Sequence, residues 1–180
     1  MQKSLADCVR ELNEAKQGAA WSGIHRGIER EALRIKADGT LATSDHPESL
    51  GKTLTHPTIT TDYSENLLEF ITPVASCIKA TLAQLRDIHR VTYHAIGDEL
   101  LWPLSMPCYL GSDKDIRIAK YGDSHSGRMK SLYRQGLTHR YGATMQVISG
   151  VHFNFSVSEA MWSQLAEQNQ CEDDAAFRSA

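Results

Sequence analysis

This sequence has no apolar run approaching the ~18–20 residues a helix needs to cross a bilayer. Its opening Met-Gln-Lys-Ser-Leu-Ala-Asp-Cys-Val-Arg-Glu carries charges where a signal peptide needs an apolar stretch. Cysteine is sparse and scattered: Cys8, Cys77, Cys108 and Cys171 form no CxxC pair. That excludes a zinc ribbon and argues against a disulfide-stapled secreted domain. Neither charge dominates, since 19 Lys and Arg against 22 Asp and Glu leave −3. There is thus no sequence-wide attraction to nucleic acid or to an anionic membrane. Neither GxxxxGK[ST] nor GxGxxG occurs, so a bound nucleotide needs another kind of site. The expectation is a soluble, reduced, cytoplasmic protein with neither nucleic acid nor membrane as partner.

What is present suffices for a folded unit. The 180 residues are 41% hydrophobic and 23% charged, which gives room for a core and excludes disorder. No repeat, low-complexity tract or linker marks a boundary, so 1–180 reads as a single domain. Leu5, Val9, Leu12 and Ala15 share one helical face and predict a helix from Ser4 to about Lys16. Ile24 to Ile35, followed by the hairpin signal Asp38-Gly39, reads as a strand. Its period of two puts His25, Glu29, Glu31 and Leu33 on one face, and Ile24, Arg26, Ile28 and Arg30 on the other. Asp45 to Leu54 reads as loop with a helical turn, and Thr58–Thr61 and Leu67–Val74 as strands. A long helix is predicted from Ile78 to Leu100, with Ile78, Leu82, Leu85, Ile88, Ala95 and Ile96 as its apolar stripe, and a second from Ser126 to His139. Ala143 to Val157 reads as one further strand. Its apolar face is Met145, Val147, Val151, Phe153, Phe155 and Val157, and its polar face includes Gln146, His152 and Asn154. Ser158 is the N-cap of a helix reaching about Glu167. The polar tail from Gln168 to Ala180 reads like a chain cut short.

Several residues point to chemistry. Glu29 and Glu31 stand ~6.5–7 Å apart on one strand face at ~3.3 Å per residue. Carboxylates so placed can ligate hard cations or divide into acid and base. With Arg26, Arg30 and Arg34 between and beside them, the same alternation also describes an exposed charged ribbon. Glu69 interrupts Leu67-Leu68-Glu69-Phe70-Ile71, and an unpaired acid in a buried strand costs several kcal/mol. It must reach solvent, a cation or a metal. Asp62 at a strand end is equally a turn former. His152 is either a satisfied structural group or a ligand beside Gln146 and Asn154. Arg128, Lys130 and Arg134 either face a phosphate or carboxylate or form a solvated helix face. Cys108, with no base beside it, reads as packing.

Longer strings go further. Arg26-Gly-Ile-Glu-Arg-Glu-Ala-Leu-Arg34 resembles the opening motif of bacterial glutamate–cysteine ligases (γ-glutamylcysteine synthetases). In the same order follow Thr60-Thr-Asp-Tyr-Ser-Glu-Asn-Leu-Leu-Glu-Phe-Ile-Thr-Pro73, Leu101-Trp-Pro-Leu-Ser-Met-Pro-Cys108, Gly127-Arg-Met-Lys-Ser-Leu-Tyr-Arg134 and Ile148-Ser-Gly-Val-His-Phe-Asn-Phe155. The resemblance implies an α+β fold similar to glutamine synthetase. In it an antiparallel sheet lines a metal and ATP cleft with helices outside, and the fold is incomplete here because the chain resembles only about the N-terminal third of the family protein. It implies ATP-dependent joining of the L-glutamate γ-carboxyl to L-cysteine through γ-glutamyl phosphate, the first step of glutathione biosynthesis, with Mg²⁺ or Mn²⁺. Carried over by motif, Glu29, Glu31, Asp62, Glu69 and His152 look like the metal ligands. Tyr63, Tyr133, Leu137 and Gln146 look like part of the cysteine pocket, although the family usually has Phe at the position of Tyr63. No covalent enzyme nucleophile is expected, and residues 1–180 alone are expected to be inactive. The competing readings are a non-catalytic remnant that binds metal or amino acid, and a two-metal hydrolase.

Overall fold

The computed structural model describes residues 23–168, together with Ser4, Ala6, Asp7 and Arg10. Apart from those four residues, the helix expected from Ser4 to Lys16 lies outside the described residues, as does the tail beyond Gln168. The elements are β1 (His25–Ile35), β2 (Ile59–Thr61), β3 (Leu67–Ile71), α1 (Ile78–Ala95), β4 (Leu100–Leu101), α2 (His125–Tyr141), β5 (Val151–Ser156) and α3 (Glu159–Gln168). No helix among the described residues is long and apolar enough to cross a membrane.

β1 is the axis of an open antiparallel sheet. β3 pairs along one side of it, and β2 pairs with β3. The other side of β1 is shared: β5 takes His25 to Arg30, and β4 takes Arg34 and Ile35. The alternation read from the sequence decides what each face does. Ala32 of β1, with Leu68 and Phe70 of β3, packs with Ile59, Leu50, Ile96 and Leu101 beneath Leu85, Ile88 and Ala95 of α1. Leu33, Ile35 and Leu67 build a second core on the opposite face with Tyr63, Ile116, Ala143 and Val147. Cys108 is buried in this second core, and burial pushes its thiol up, as befits a packing residue. That second face changes character along β1, from Glu29 and Glu31 to Leu33 and Ile35.

Two boundaries differ from the sequence reading, and so does the burial of two apolar faces. The strand expected over Ala143–Val157 is broken, because Thr144–Val147 forms a 3₁₀ turn and only Val151–Ser156 is extended. Asp113 holds that turn by accepting from the amides of Ala143 and Thr144 and from the Thr144 hydroxyl. Helix α1 stops at Ala95 rather than Leu100, since Leu100 and Leu101 must turn back to pair with β1. Ile78 and Leu82, expected on its apolar stripe, are 64% and 52% exposed. The apolar side of β5 is bare as well: Val151, Phe153 and Phe155 are exposed, with the two phenyl rings stacked 6.4 Å apart.

Under α1, Arg30 Nη1 lies 2.8 Å from His89 Nε2, and Phe70 meets the same imidazole edge-on at 4.8 Å. Burial, then the Arg30 charge, lowers His89 from 6.5 to about 4. A depressed folded-state value adds stability that is present above the unfolded value and lost as pH falls through the folded one. The stability advantage of the wild type over His89→Gln should therefore shrink as pH drops from 6.5 towards 4. Urea melts across that range test it, and a pH-independent difference would refute it.

Candidate functional site

Strand register brings the sequence candidates together on one half of the second sheet face. Glu31 pairs directly with Glu69 across β1 and β3. Glu29 pairs directly with His152 across β1 and β5. Paired residues of antiparallel strands point to the same side, and Glu29 and Glu31 are two apart. All four side chains therefore project from one patch. Asp62 lies one residue past the end of β2, close enough for its charge to act on both Glu31 and Glu69.

Like charges directly opposite each other destabilise a sheet, so an arrangement of this kind needs its own account. Glu29 accepts a hydrogen bond from Asn154 Nδ2 at 2.8 Å, and its other oxygen meets His152 Nδ1 at 3.3 Å. The Glu29 bond is the first cause raising the His152 imidazole above its ordinary value. Glu31 Oε2 accepts the Gly150 amide at 2.7 Å, yet burial outweighs that bond and raises its pKa. A Cβ on Gly150 would lie 2.9 Å from His152 Nε2, so a side chain there would displace the imidazole. Glu69 is pushed from 4.5 up to about 7, first by burial and then by the charges of Asp62, Glu31 and Glu29, with Lys130 opposing. Half-buried carboxylates that raise one another are short of positive charge.

The basic residues of α2 divide. Arg128 Nε donates to the Asp123 carbonyl on the helix's own approach. Lys130 Nζ and the Arg134 guanidinium sit 5.0 and 4.6 Å from the ring centroid of Tyr121. Tyr121 carries no sequence signal of its own, and its place beside the site emerges only from the fold. Of the residues assigned to a cysteine pocket, Tyr63 is 2% exposed in the second core, with its hydroxyl 2.6 Å from Thr138 Oγ1. Leu137 packs against the same core. Tyr133 is exposed on α2, and Gln146 lies in the 3₁₀ turn rather than on a strand.

Carboxylate oxygens with one imidazole suit a hard divalent cation such as Mg²⁺ or Mn²⁺. Among the described residues, no three such donors stand close enough to hold a metal ion as the side chains lie. Two of the acids are tied by Asn154, His152 and the Gly150 amide. The donors fit a cation in kind and share one sheet face, and holding one requires them to draw closer than they lie here.

The family described as glutamate–cysteine ligase matches residues 9–180. The solved glutamate–cysteine ligase of Francisella tularensis, in complex with AMP, is 45% identical with a TM-score of 0.80 over 83% of this chain and 30% of its own. A bifunctional glutathione synthetase from Pasteurella multocida is 33% identical with a TM-score of 0.83, over 93% of this chain and 22% of its own. This chain spans less than a third of the length of either.

Proposed function

The chain belongs to the glutamate–cysteine ligase family, and on that premise we propose that it is the N-terminal portion of a catalytic domain joining the γ-carboxyl of L-glutamate to the amino group of L-cysteine. The reaction consumes ATP and passes through γ-glutamyl phosphate, the first step of glutathione biosynthesis. The observation that carries the reading is the acid patch in which Glu31 opposes Glu69 and Glu29 opposes His152 on one sheet face. A glutamate carboxylate attacking the ATP γ-phosphorus brings two anions together, so cations must screen them and bridge the phosphates. Mg²⁺ or Mn²⁺ supplies that charge when bound.

Each residue has a task in this reading. Glu29, Glu31, Asp62, Glu69 and His152 hold the cations. Asn154 and the Gly150 amide orient Glu29 and Glu31, and strand pairing limits how far these ligands drift. Tyr63, Tyr133, Leu137 and Gln146 shape one side of the cysteine pocket. The thiol of the reaction is the substrate's, so buried Cys108 and exposed Cys77, both free, need not react. A reducing cytoplasm suits them. The remaining length of the family protein would complete a glutamine synthetase-like sheet, close the ATP cleft and cover Phe153 and Phe155.

The test is ADP release by the intact protein with Mg²⁺ and ATP. Release that requires both L-glutamate and L-cysteine, with γ-glutamylcysteine as product, is expected, and none from residues 1–180 alone. Binding of either amino acid without turnover by the intact protein would instead favour the non-catalytic reading, and ATP-independent hydrolysis would favour a hydrolase.

A further inference from the structure

Asp62 lies just beyond β2, where the strand ladder ends, and its backbone is held from elsewhere. Its amide donates to the Leu67 carbonyl at 3.0 Å. Its carbonyl accepts Arg134 Nε at 2.6 Å and the Tyr121 hydroxyl at 2.9 Å. The same hydroxyl lies 2.6 Å from the Thr61 carbonyl, so one proton is shared between two consecutive peptide oxygens. Tyr121 is 5% exposed and carries the Arg134 guanidinium against its ring. Arg134 is itself tied back to α2 through Nη1 and the Lys130 carbonyl at 3.1 Å. The helix reaches this close because its first turn has Gly127, where a Cβ would lie 2.5 Å from the carbonyl oxygens of Tyr121 and Gly122. A chain of contacts thus runs from α2 through Tyr121 to the two peptides that flank Asp62, and the Cα between them carries its carboxylate.

We propose that Tyr121 and Arg134 are positioning residues for Asp62, fixing the peptide from which its carboxylate faces Glu31 and Glu69. The proposal rests on the reading of Asp62 as a cation ligand. A carboxylate beyond the end of a strand inherits the freedom of its backbone, and a ligand displaced by a fraction of an ångström loses affinity. Two donors on the Asp62 carbonyl remove that freedom without touching the carboxylate, which stays available. Outer-shell partners of this kind change metal affinity by about 10–100-fold when lost.

The experiment is calorimetric titration of the intact protein with Mn²⁺, without nucleotide, alongside thermal melts. Tyr121→Phe keeps the ring and loses the hydroxyl, while Arg134→Lys keeps the charge and loses the Nε donor. If the phenylalanine variant fails to fold, the lysine variant carries the test. Both should bind Mn²⁺ about 10–100-fold more weakly. Asp62→Asn should lose at least as much, and adding Arg134→Lys to it should cost no more than about twofold further, because residues that act through one another do not add. Losses that multiply in the double variant would show a merely structural role and overturn the proposal. Affinity within about twofold of wild type in Arg134→Lys, beside a weakened Asp62→Asn, would overturn it too and leave the ligand reading standing. Unchanged affinity in Asp62→Asn would remove the ligand reading itself, and this proposal with it.

Discussion

Glutamine in place of Glu69 is expected to lower turnover of the intact protein by about 10³-fold or more while leaving it folded. The size follows from the charge stabilisation that a cation gives to phosphoryl transfer, several kcal/mol, with each 1.36 kcal/mol worth tenfold in rate. Glutamine keeps the shape of the side chain and removes the charge. Stability should move the opposite way from activity. Glu69 is raised from 4.5 to about 7, with burial the largest cause and the acids around it next. A folded-state value above the unfolded one adds stability that is complete below 4.5 and lost as pH rises through about 7. Glu69→Gln lacks that loss, so in metal-free buffer it should gain on the wild type across this interval and be the more stable above it. Added Mg²⁺ or Mn²⁺ should stabilise the wild type and not the variant. Wild-type turnover in Glu69→Gln would sink the assignment of the acid patch, and so would a variant less stable than wild type above pH 7.

Glu69 also shows how far sequence reasoning reaches. Its oddity was legible, because a single acid inside Leu67–Ile71 breaks an apolar strand. So was the shared face of Glu29 and Glu31, which needs only the period of two over His25–Ile35. Which acids oppose which was not legible, because the pairings Glu31 with Glu69 and Glu29 with His152 are set by tertiary register between segments about 40 and 120 residues apart. The motif resemblance gathered the same five residues without saying how they meet. The strand expected over Ala143–Val157 failed for a related reason. Its alternation holds from Val151 on, but the earlier half is bent by the carboxylate of Asp113, thirty residues upstream. Ser149-Gly150 was a local breaker signal that marked the division. Tyr121 had no such mark. An aromatic outside any periodic segment gains meaning only when α2 lays two cations on it.

Removing Arg34 is expected to cause the largest loss of stability, about 3–5 kcal/mol for Arg34→Met, read from urea or thermal unfolding. Sequence logic places Arg34 with the exposed charges of β1, but its side chain is 1% exposed and that of its partner Glu99 is 18% exposed. Nη1 donates to Glu99 Oε2 at 2.7 Å and to Ser44 Oγ at 2.5 Å, and Nη2 donates to the Ser44 and Glu65 carbonyls at 3.0 and 3.1 Å. One guanidinium thus joins β1 to the loop after its hairpin, to the turn before β3 and to the segment between α1 and β4. Methionine fills much of the volume but leaves Glu99 as a largely buried charge without its cation and the Glu65 carbonyl without its Arg34 donor, while the Ser44 carbonyl keeps Arg117 Nη2 at 2.8 Å. Leaving such groups unpaired, rather than losing the pair's own attraction, accounts for most of the cost. Two comparisons separate the causes. Arg34→Met combined with Glu99→Gln should recover part of the loss, because no uncompensated charge remains. Asp45→Asn, which cuts the exposed pairs with Arg117 and Lys120, should cost far less than Arg34→Met, because water and salt screen exposed pairs. A loss in Arg34→Met no larger than in Asp45→Asn would mean that this junction does not hold the fold together. A double variant as unstable as the single would mean that the cost lies in the Glu65 carbonyl and the lost packing rather than in the charge on Glu99.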